Sequence, residues 1–185
     1  MDRHEADIIL ESFRVIVDSR EQNTPKARKR YKLIGKTERA TLSYGDYCGN
    51  VDICGNQLYD TSATISPLCV IERKMNLDEL AMCFTRSRKR FEREFERARA
   101  AGAKVYLLVE DATYEDIIRH RYRSKFASNA FLASLLTWSA RYNLTPVFCR
   151  AETSGELIRE ILLRDLRERI ERDEILCGNT QTMNT

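Results

Sequence analysis

Long apolar runs are missing from this 185-residue sequence. No stretch approaches the roughly 20 consecutive apolar residues that a membrane-spanning helix needs. The first 11 residues are charged and lack the apolar centre of a secretion signal. Internal repeats, low-complexity tracts and Gly/Ser linkers are absent as well. We therefore expect a cytoplasmic, intracellular protein that does not associate with a membrane.

Closely paired metal ligands are also missing. The six cysteines are spread along the chain without a Cys-x-x-Cys pair, and only two histidines accompany them. A structural zinc site usually has closely spaced ligands, so the sequence gives no support for one. Because most of the cysteines stand beside apolar residues, we interpret them as small buried side chains in a reducing compartment.

The overall charge is small, at +3, although 32% of the residues are charged and 43% are hydrophobic. This composition is typical of a folded globular protein. Basic residues cluster within 26–32, 86–93 and 119–125. If these clusters lie on one side of the molecule, they form a phosphate-binding surface. The alternative is a set of solvated faces, which the glutamates that follow the second cluster support.

Apolar residues recur with the periods of strands and helices in turn. The pattern predicts strands at 13–17, 68–74, 105–109 and 146–149, a hairpin near Gly55-Asn56, and helices at 25–34, 77–101, 113–119, 129–141 and 153–173. Early strands followed by helices that alternate with strands predict an α/β fold with a mixed β-sheet flanked by helices. We expect an N-terminal extension at 1–12, a single domain at 13–175 and a flexible tail at 176–185.

The most informative segment is Glu72-Arg73-Lys74, which follows the apolar residues 68–71. Side chains alternate faces along a strand, so Glu72 and Lys74 point to one side and Arg73 to the other. A carboxylate that helps to hold Mg²⁺, beside a lysine that orients water or stabilises charge, fits metal-assisted phosphodiester hydrolysis. Mg²⁺ uses few protein carboxylates. Asp46, which follows a glycine, is a suitable second acid if its strand pairs with this one.

This arrangement resembles the nuclease domain of the XPF family of structure-specific endonucleases, which has the restriction-endonuclease-like fold. The family motif is Gly-Asp, a variable stretch, Glu-Arg-Lys, three residues and Asp. The sequence matches it with Gly45-Asp46, Glu72-Arg73-Lys74 and Asp78. Flanking segments are similar too, namely Asp18-Ser19-Arg20-Glu21, Arg88-Lys89-Arg90-Phe91 and Val109-Glu110. The similarity covers about residues 13–170 and implies a single nuclease domain.

The resemblance implies roles in metal binding and catalysis for five residues. Asp46 and Glu72 are expected to be the principal metal ligands. Asp18 is expected as a further acid near the metal, with Glu21 supporting it. Lys74 is expected to be the catalytic lysine. The implied cofactor is Mg²⁺, for which Mn²⁺ can substitute.

Five further residues are expected to assist, again by resemblance. Arg73 is expected to contact DNA or orient a ligand in the catalytic motif, and Arg20 to contact phosphate or brace the site. Asp78 is expected to be a motif acid that pairs with the motif lysine or arginine. Arg88 and Arg90 are expected to bind DNA or support the site.

Structural roles are alternatives for several acids. Asp18 and Glu21 are ordinary loop acids in the simplest interpretation, although their place at a strand end favours function. Asp78 is alternatively a helix cap, and Glu110 is expected to be solvated or to bridge to Arg20. Surface positions or packing are expected for a further set: Asp52, Asp60, Tyr44, Tyr47, Phe131 and Trp138.

The function implied by the resemblance is a Mg²⁺-dependent DNA endonuclease that acts on branched, flap or nicked duplex in repair, recombination or replication. One alternative is a non-catalytic DNA-binding or dimerisation module, although such modules usually lose the motif acids. Another is a nuclease for linear duplex, single strands or RNA. Many relatives carry a helix-hairpin-helix module or a helicase, and this sequence shows neither. Selectivity for branched DNA is then expected either to come from a homodimer or a DNA-binding partner, or to be absent. The compact size suits a bacterial or bacteriophage protein.

Overall fold

A mixed β-sheet forms the centre of the computed structural model, which describes residues 2–175. Within these residues the strands are β1 (Arg14–Asp18), β2 (Thr37–Ala40), β3 (Tyr47–Asn50), β4 (Asp52–Ile53), β5 (Asn56–Gln57), β6 (Cys69–Lys74), β7 (Lys104–Glu110) and β8 (Leu144–Cys149). The sheet order is β2-β1-β3-β6-β7-β8, and β4 and β5 form a separate hairpin. Strand β3 is antiparallel to both of its neighbours, and the other pairs are parallel. Five strands therefore end at one edge of the sheet, which is where β3 begins.

Helices cover both faces of the sheet. They are α1 (Arg3–Leu10), α2 (Pro25–Ile34), α3 (Leu77–Phe84), α4 (Arg88–Ala100), α5 (Tyr114–Ile118), α6 (Ser128–Tyr142) and α7 (Ser154–Glu171). Helices α1, α2 and α7 pack on one face, and α3 to α6 pack on the other. The predicted α/β fold with a helix-flanked mixed sheet is confirmed. The tail expected at 176–185 lies outside the described residues.

Alternation of side chains along the central strands separates two apolar cores. Val70 of β6 belongs to the core under α3, α4 and α6, and Ile71 belongs to the core under α1, α2 and α7. The same alternation continues past Ile71, so that Glu72 and Lys74 face the first side and Arg73 faces the second. Trp138 and Phe131 lie inside the first core, as expected.

One predicted helix is two helices in the structure. The apolar spacing at 77–101 indicated continuity, but the chain leaves the helical conformation at Thr85 and resumes in α4. The break allows both halves to pack on one side chain: the rings of Phe84 and Phe91 lie 4.9 and 5.4 Å from that of Trp138. Packing around Trp138 therefore sets the boundary between α3 and α4, which the spacing of apolar residues in the sequence does not reveal.

Smaller differences concern the edges of the fold. The segment expected as an N-terminal extension contains α1, whose Ala6 is fully buried against the rest of the domain. Strand β2, at the edge of the sheet, was not predicted. The hairpin is present, but its turn residues are Cys54 and Gly55, both with positive φ, rather than Gly55-Asn56. Cys54 is exposed, whereas Cys48, Cys69 and Cys83 are buried as expected.

The apolar faces of α6 and α7 are used within the chain. Leu135 and Tyr142 of α6 and Leu162 and Ile170 of α7 are almost fully buried in the two cores. None of the helices among residues 2–175 combines the length and the apolar character needed to cross a bilayer.

Candidate active site

Three strand ends build one cleft at the edge of the sheet. The backbone N–H of Asp18 donates to the carbonyl of Asp46 at 2.9 Å, and the N–H of Asp46 donates to the carbonyl of Ile71 at 2.8 Å. Tyr47 is paired with Ile71 in the sheet. The strand after Asp46 therefore does pair with the strand that carries Glu72, which was the condition for bringing the two acids together.

Gly45 determines the direction in which Asp46 leaves the turn. Its φ is +73°, in the left-handed region that side chains rarely adopt. A Cβ atom at this position would lie 2.1 Å from Cγ2 of Val70. The backbone N–H of Gly45 donates to Oε1 of Glu94 at 3.2 Å. Because Val70 is fixed in a buried strand, no other residue fits this turn without moving β6.

The Gly45→Ala variant is expected to lose about 2–4 kcal/mol of unfolding free energy, from left-handed strain together with overpacking against Val70. Urea denaturation followed by circular dichroism measures the loss. Gly55→Ala is the matched control, because Gly55 also has positive φ but open space around it. A loss at Gly45 no larger than that at Gly55 would contradict the steric account.

The cleft holds the acids expected from the sequence. It has a volume of about 500 Å³ and is lined by Asp18, Glu21, Asp46, Glu72 and Glu110 together with basic residues that include Arg20, Arg30, Arg73, Lys74 and Arg90. Asp18, Glu72 and Lys74 are buried. Asp46 is partly exposed at the floor. Predicted residues from distant parts of the sequence thus share one concave surface.

Each acid on the side of β6 that carries Glu72 and Lys74 has a basic side chain or a backbone N–H as its partner. The Lys74 ammonium group donates to Glu72. The backbone N–H of Arg73 donates to Oδ2 of Asp46 at 2.7 Å. Nε of Arg20 donates to Oδ2 of Asp18 at 2.7 Å, and the same guanidinium also donates to the carbonyl of Leu42. Arg20 thereby braces Asp18, one of the two roles that the resemblance implied for it.

Burial and crowding of charge set the protonation of the cleft. Burial and then the charge of Glu72 raise the pKa of Asp46 well above its ordinary value. Burial also raises the pKa of Glu72, opposed by the Lys74 ammonium. Burial lowers the pKa of Lys74, but the charges of Glu72 and Asp46 outweigh this and raise it. Lys74 is therefore a cation at neutral pH, suited to stabilise negative charge and not to accept a proton.

A second ionic group lies on the other side of β6. Arg30 of α2 is buried and donates through Nε to Oε1 of Glu110 at 3.0 Å. Nη1 of Arg73 donates to Oε2 of the same Glu110 at 3.1 Å, and its Nη2 donates to Glu21 at 3.2 Å. The Tyr47 hydroxyl donates to Glu21 at 3.2 Å. We call these five residues the arginine–glutamate network.

This network corrects two expectations. Glu110 is neither solvated nor bonded to Arg20, but is 2% exposed between two guanidinium groups. Arg30, counted with a basic surface cluster, is 5% exposed. A sequence signal for it exists, because Ala27, Arg30 and Ile34 share the helical spacing of the buried face of α2. Tyr47 packs in the core, as expected, and adds its hydroxyl to the network.

Two of the predicted site residues lie elsewhere. Asp78 does not line the cleft and pairs with neither Lys74 nor Arg73. Instead it accepts from the N–H groups of Arg123 and Ser124 and from Nε of Arg123. Nor does it cap α3, because Asn76 has that role. Arg88 lies over the ring of Trp138 and pairs with Glu92. Glu94, which sequence reasoning passed over, lines the cleft beside Arg90.

The donor chemistry of the cleft fits a divalent cation of the Mg²⁺ class. The negative charge of Glu72 disfavours ionisation of Asp46, and a bound cation would compensate that charge. Among residues 2–175, no three metal-ligating side chains converge on one point. Mg²⁺ does not need them, because it commonly uses one or two carboxylates and completes its shell with water and phosphate oxygens.

Comparison with known families agrees with this geometry. A family model described as the ERCC4 domain matches residues 17–161, which include every acid of the cleft. This chain belongs to the ERCC4 domain family. An ERCC4 domain of this family has a DNA nuclease or DNA-binding role. The resemblance to XPF-family nuclease domains stated from the sequence motifs is thereby confirmed.

Solved structures show the same fold. This ERCC4 domain is similar to XPF from Aeropyrum pernix, with a TM-score of 0.57 and 19% identity over 87% of this chain and 69% of that chain. It is also similar to XPF from Aeropyrum pernix in complex with DNA, with a TM-score of 0.55 and 20% identity over 91% of this chain and 69% of that chain. No curated protein sequence matches the chain significantly.

Proposed function

We propose that this chain is a metal-dependent DNA endonuclease that hydrolyses phosphodiester bonds, with Asp46 and Glu72 as ligands of Mg²⁺ and Lys74 as the catalytic cation. The observation that carries the proposal is the placement of two carboxylates and a lysine in one open cleft of a DNA-associated fold. The cation, when bound, would polarise the phosphate and lower the pKa of an attacking water.

The residues of the cleft have distinct tasks in this proposal. Lys74, protonated and nearly buried, stabilises the negative charge that develops on the phosphate. Arg73 holds Asp46 in place through its backbone N–H, while its side chain is bound in the arginine–glutamate network. Arg20 fixes Asp18 and keeps a side chain that is 57% exposed at the cleft rim, where it can meet a phosphate.

Branched, flap or nicked duplex is the proposed substrate class, and a DNA complex of the similar XPF supports DNA as the ligand. The decisive experiment compares cleavage of a labelled 3′-flap duplex, a fork, a linear duplex and an RNA duplex, each with Mg²⁺, Mn²⁺ or EDTA. Metal-dependent cutting of DNA that Asp46→Asn loses supports the proposal. Cutting that persists in EDTA, or in the variant, overturns it.

A non-catalytic DNA-binding module is the second candidate. One observation favours it: Glu72 and Asp18 are both already paired with cations of the chain. It predicts tight DNA binding without cleavage under any divalent metal.

The ratio of flap to linear cleavage separates a structure-selective nuclease from one that acts on linear duplex. A homodimer or a separate DNA-binding partner remains part of the proposal as a source of selectivity.

The Asp46→Asn variant is expected to be more stable than wild type in EDTA at pH 8, by roughly 2–8 °C in Tm for about 1–2 kcal/mol. The folded-state pKa of Asp46 is raised, so the folded protein holds this proton more tightly than the unfolded chain. Its contribution to stability is therefore favourable at low pH and is lost as pH rises, and the amide removes that loss.

Thermal unfolding at pH 5 and pH 8, with and without an excess of Mg²⁺, measures both effects. Mg²⁺ should raise the Tm of wild type at pH 8 and leave that of Asp46→Asn unchanged, since only the carboxylate binds the ion strongly. Asp52→Asn, an exposed acid of the hairpin, is the matched control. Equal Mg²⁺ shifts in wild type and Asp46→Asn would contradict Asp46 as a ligand.

A further inference from the structure

The loop that joins α5 to α6 carries a dense positive charge. Its residues 119–127 contain four exposed cations and no acid, and these cations are Arg119, Arg121, Arg123 and Lys125. We call this segment the basic loop. The basic run of α4 differs from it, because Glu92, Glu94 and Glu96 alternate with the later basic residues of that helix. An uninterrupted group of cations is a surface for polyanions rather than a self-neutralised helix face.

Asp78 anchors the basic loop to the first turn of α3, which follows β6. Its Oδ1 accepts the backbone N–H groups of Arg123 at 2.8 Å and of Ser124 at 2.7 Å. Its Oδ2 accepts from Nε of Arg123 at 3.2 Å. These bonds use the carboxylate to fix the path of the loop backbone. The last acid of the family motif therefore shapes a loop and lies outside the cleft.

Contacts within the basic loop hold it in one conformation. The Tyr122 hydroxyl donates to the carbonyl of Phe126 at 2.8 Å, and the His120 ring stacks on Tyr122 with centroids 4.2 Å apart. Nε2 of His120 lies 3.0 Å from the carbonyl of Ser124. Both aromatic rings at 122 and 126 pack against Phe131 of α6. The loop cations are therefore presented from an ordered backbone, which reduces the entropy lost on binding.

The basic loop lies at the same edge of the sheet as the cleft. Helix α5 follows the end of β7, and Asp78 is four residues beyond Lys74 at the end of β6. Four residues span at most about 14 Å even when extended. Duplex DNA carries one phosphate charge per roughly 1.7 Å of its axis. A duplex seated in the cleft therefore has phosphates within reach of the loop.

Two of the four cations are available without breaking an ion pair. Arg121 pairs with Asp116 at 3.6 Å and Arg123 with Asp78 at 3.2 Å. Arg119 and Lys125 have no ion pair with any residue between 2 and 175. Exposed, unpaired cations on an ordered loop gain most from a phosphate partner, since they lose no existing contact.

We propose that the basic loop is a DNA-backbone contact outside the cleft, and that Asp78 is a positioning residue that orders it. This inference rests on the proposed function, because it requires that the chain binds DNA. The loop contacts phosphates and reads no base, so it contributes affinity to every duplex sequence alike. It would hold the duplex on the side of β7 while the cleft acts on one strand.

Binding is tested on the full chain in EDTA, which separates it from cleavage. Fluorescence anisotropy with a labelled linear duplex of about 30 base pairs gives Kd across a series of salt concentrations. The Arg119→Ala/Lys125→Ala variant is expected to bind roughly tenfold more weakly, with a salt slope shallower by about 1.8, or 0.9 for each lost phosphate contact. Lys36→Ala/Lys104→Ala, which removes equal charge at the opposite edge of the sheet, is the matched control.

The Asp78→Ala variant tests the positioning role. It should raise the Kd for DNA and flatten the salt slope, as the loop variant does. The substitution removes a carboxylate and keeps every cation, so a loss of positive charge cannot explain this result. Cleavage at saturating DNA with Mg²⁺ should change by less than about twofold. A large loss of the saturated rate with unchanged Kd would place Asp78 in catalysis and overturn the inference.

The outcomes of the salt series distinguish the loop from the proposed function. If wild type binds and cuts DNA but the loop and control variants have equal Kd and slope, the inference about the loop fails and the proposed function stands. If wild type neither binds nor cuts DNA, the proposed function fails and the inference fails with it. A selective effect of the loop variant supports the inference and the DNA binding that the proposed function requires.

Discussion

The Glu72→Gln variant is expected to cleave DNA at least roughly a thousandfold more slowly than wild type with Mg²⁺. The amide keeps the shape of the side chain but removes the charge that would hold the cation. Glu72 is 4% exposed and bonds to Lys74 on the same side of β6. Single-turnover cleavage at saturating enzyme measures the rate of the chemical step free of product release.

Lys74 gives a second test of the same site. Lys74→Met removes the cation at similar length and is expected to lower the cleavage rate about 10²- to 10³-fold. It also leaves the buried Glu72 without its partner, which destabilises the fold. The double variant Glu72→Gln/Lys74→Met is the control for folding, because it removes both charges of the pair together.

Loss of activity has to be separated from loss of structure. Circular dichroism should be close to wild type for Glu72→Gln and for the double variant. The Tm of Glu72→Gln should be the lower of the two, because it leaves the buried Lys74 without its carboxylate partner. Glu168→Gln, the same change at an exposed position on α7, should leave cleavage unchanged. Near-wild-type cleavage by a folded Glu72→Gln would refute Glu72 as a metal ligand.

The Glu110→Ala variant is expected to lose about 3–5 kcal/mol of unfolding free energy. Its carboxylate is the acceptor that Arg30 and Arg73 share, and Arg30 is only 5% exposed. Removal of the acid leaves two guanidinium groups close together with Glu21 as their remaining carboxylate. Equilibrium urea unfolding measures the loss.

Two further variants show that the loss arises from unpaired charge. The double variant Arg30→Met/Glu110→Met should be more stable than Glu110→Met alone, because it removes a buried cation that has lost its partner. Glu38→Ala removes the partner of Arg14 in a more exposed ion pair, with 32% of the acid accessible, and should cost about 1 kcal/mol or less. Equal losses for Glu110→Ala and Glu38→Ala would show that burial adds nothing to the network.

The arginine–glutamate network also connects stability to the cleft. The Arg73 side chain is held on one side of β6 by Glu110, while its backbone N–H holds Asp46 on the other. A change at Glu110 is therefore expected to disturb Asp46 without touching it. In Glu110→Ala the cleavage rate at saturating DNA should fall even at temperatures where the protein stays folded.

Much of this protein follows from local rules of sequence. The alternation of side chains along a strand placed Glu72 and Lys74 together and Arg73 opposite, because the strand period is independent of distant packing. Thr24, Pro25 and Gly35 delimited α2, because caps and φ restrictions act within a few residues. The motif resemblance identified the family, since Glu72-Arg73-Lys74 and Asp78 keep the fixed spacing of the second half of its motif.

Tertiary structure alone decided which charges meet. Arg30, Arg73 and Glu110 come from three separate segments, and only the tertiary fold brings α2 and the end of β7 next to the end of β6. Asp78 stands in the active-site motif but bonds to a loop 45 residues later in the chain. Contacts of this kind depend on topology and on the desolvation of each charge, which a local pattern does not encode. Sequence therefore pointed to the candidate acids and lysine of the cleft, and the fold decided which neighbours hold them in place.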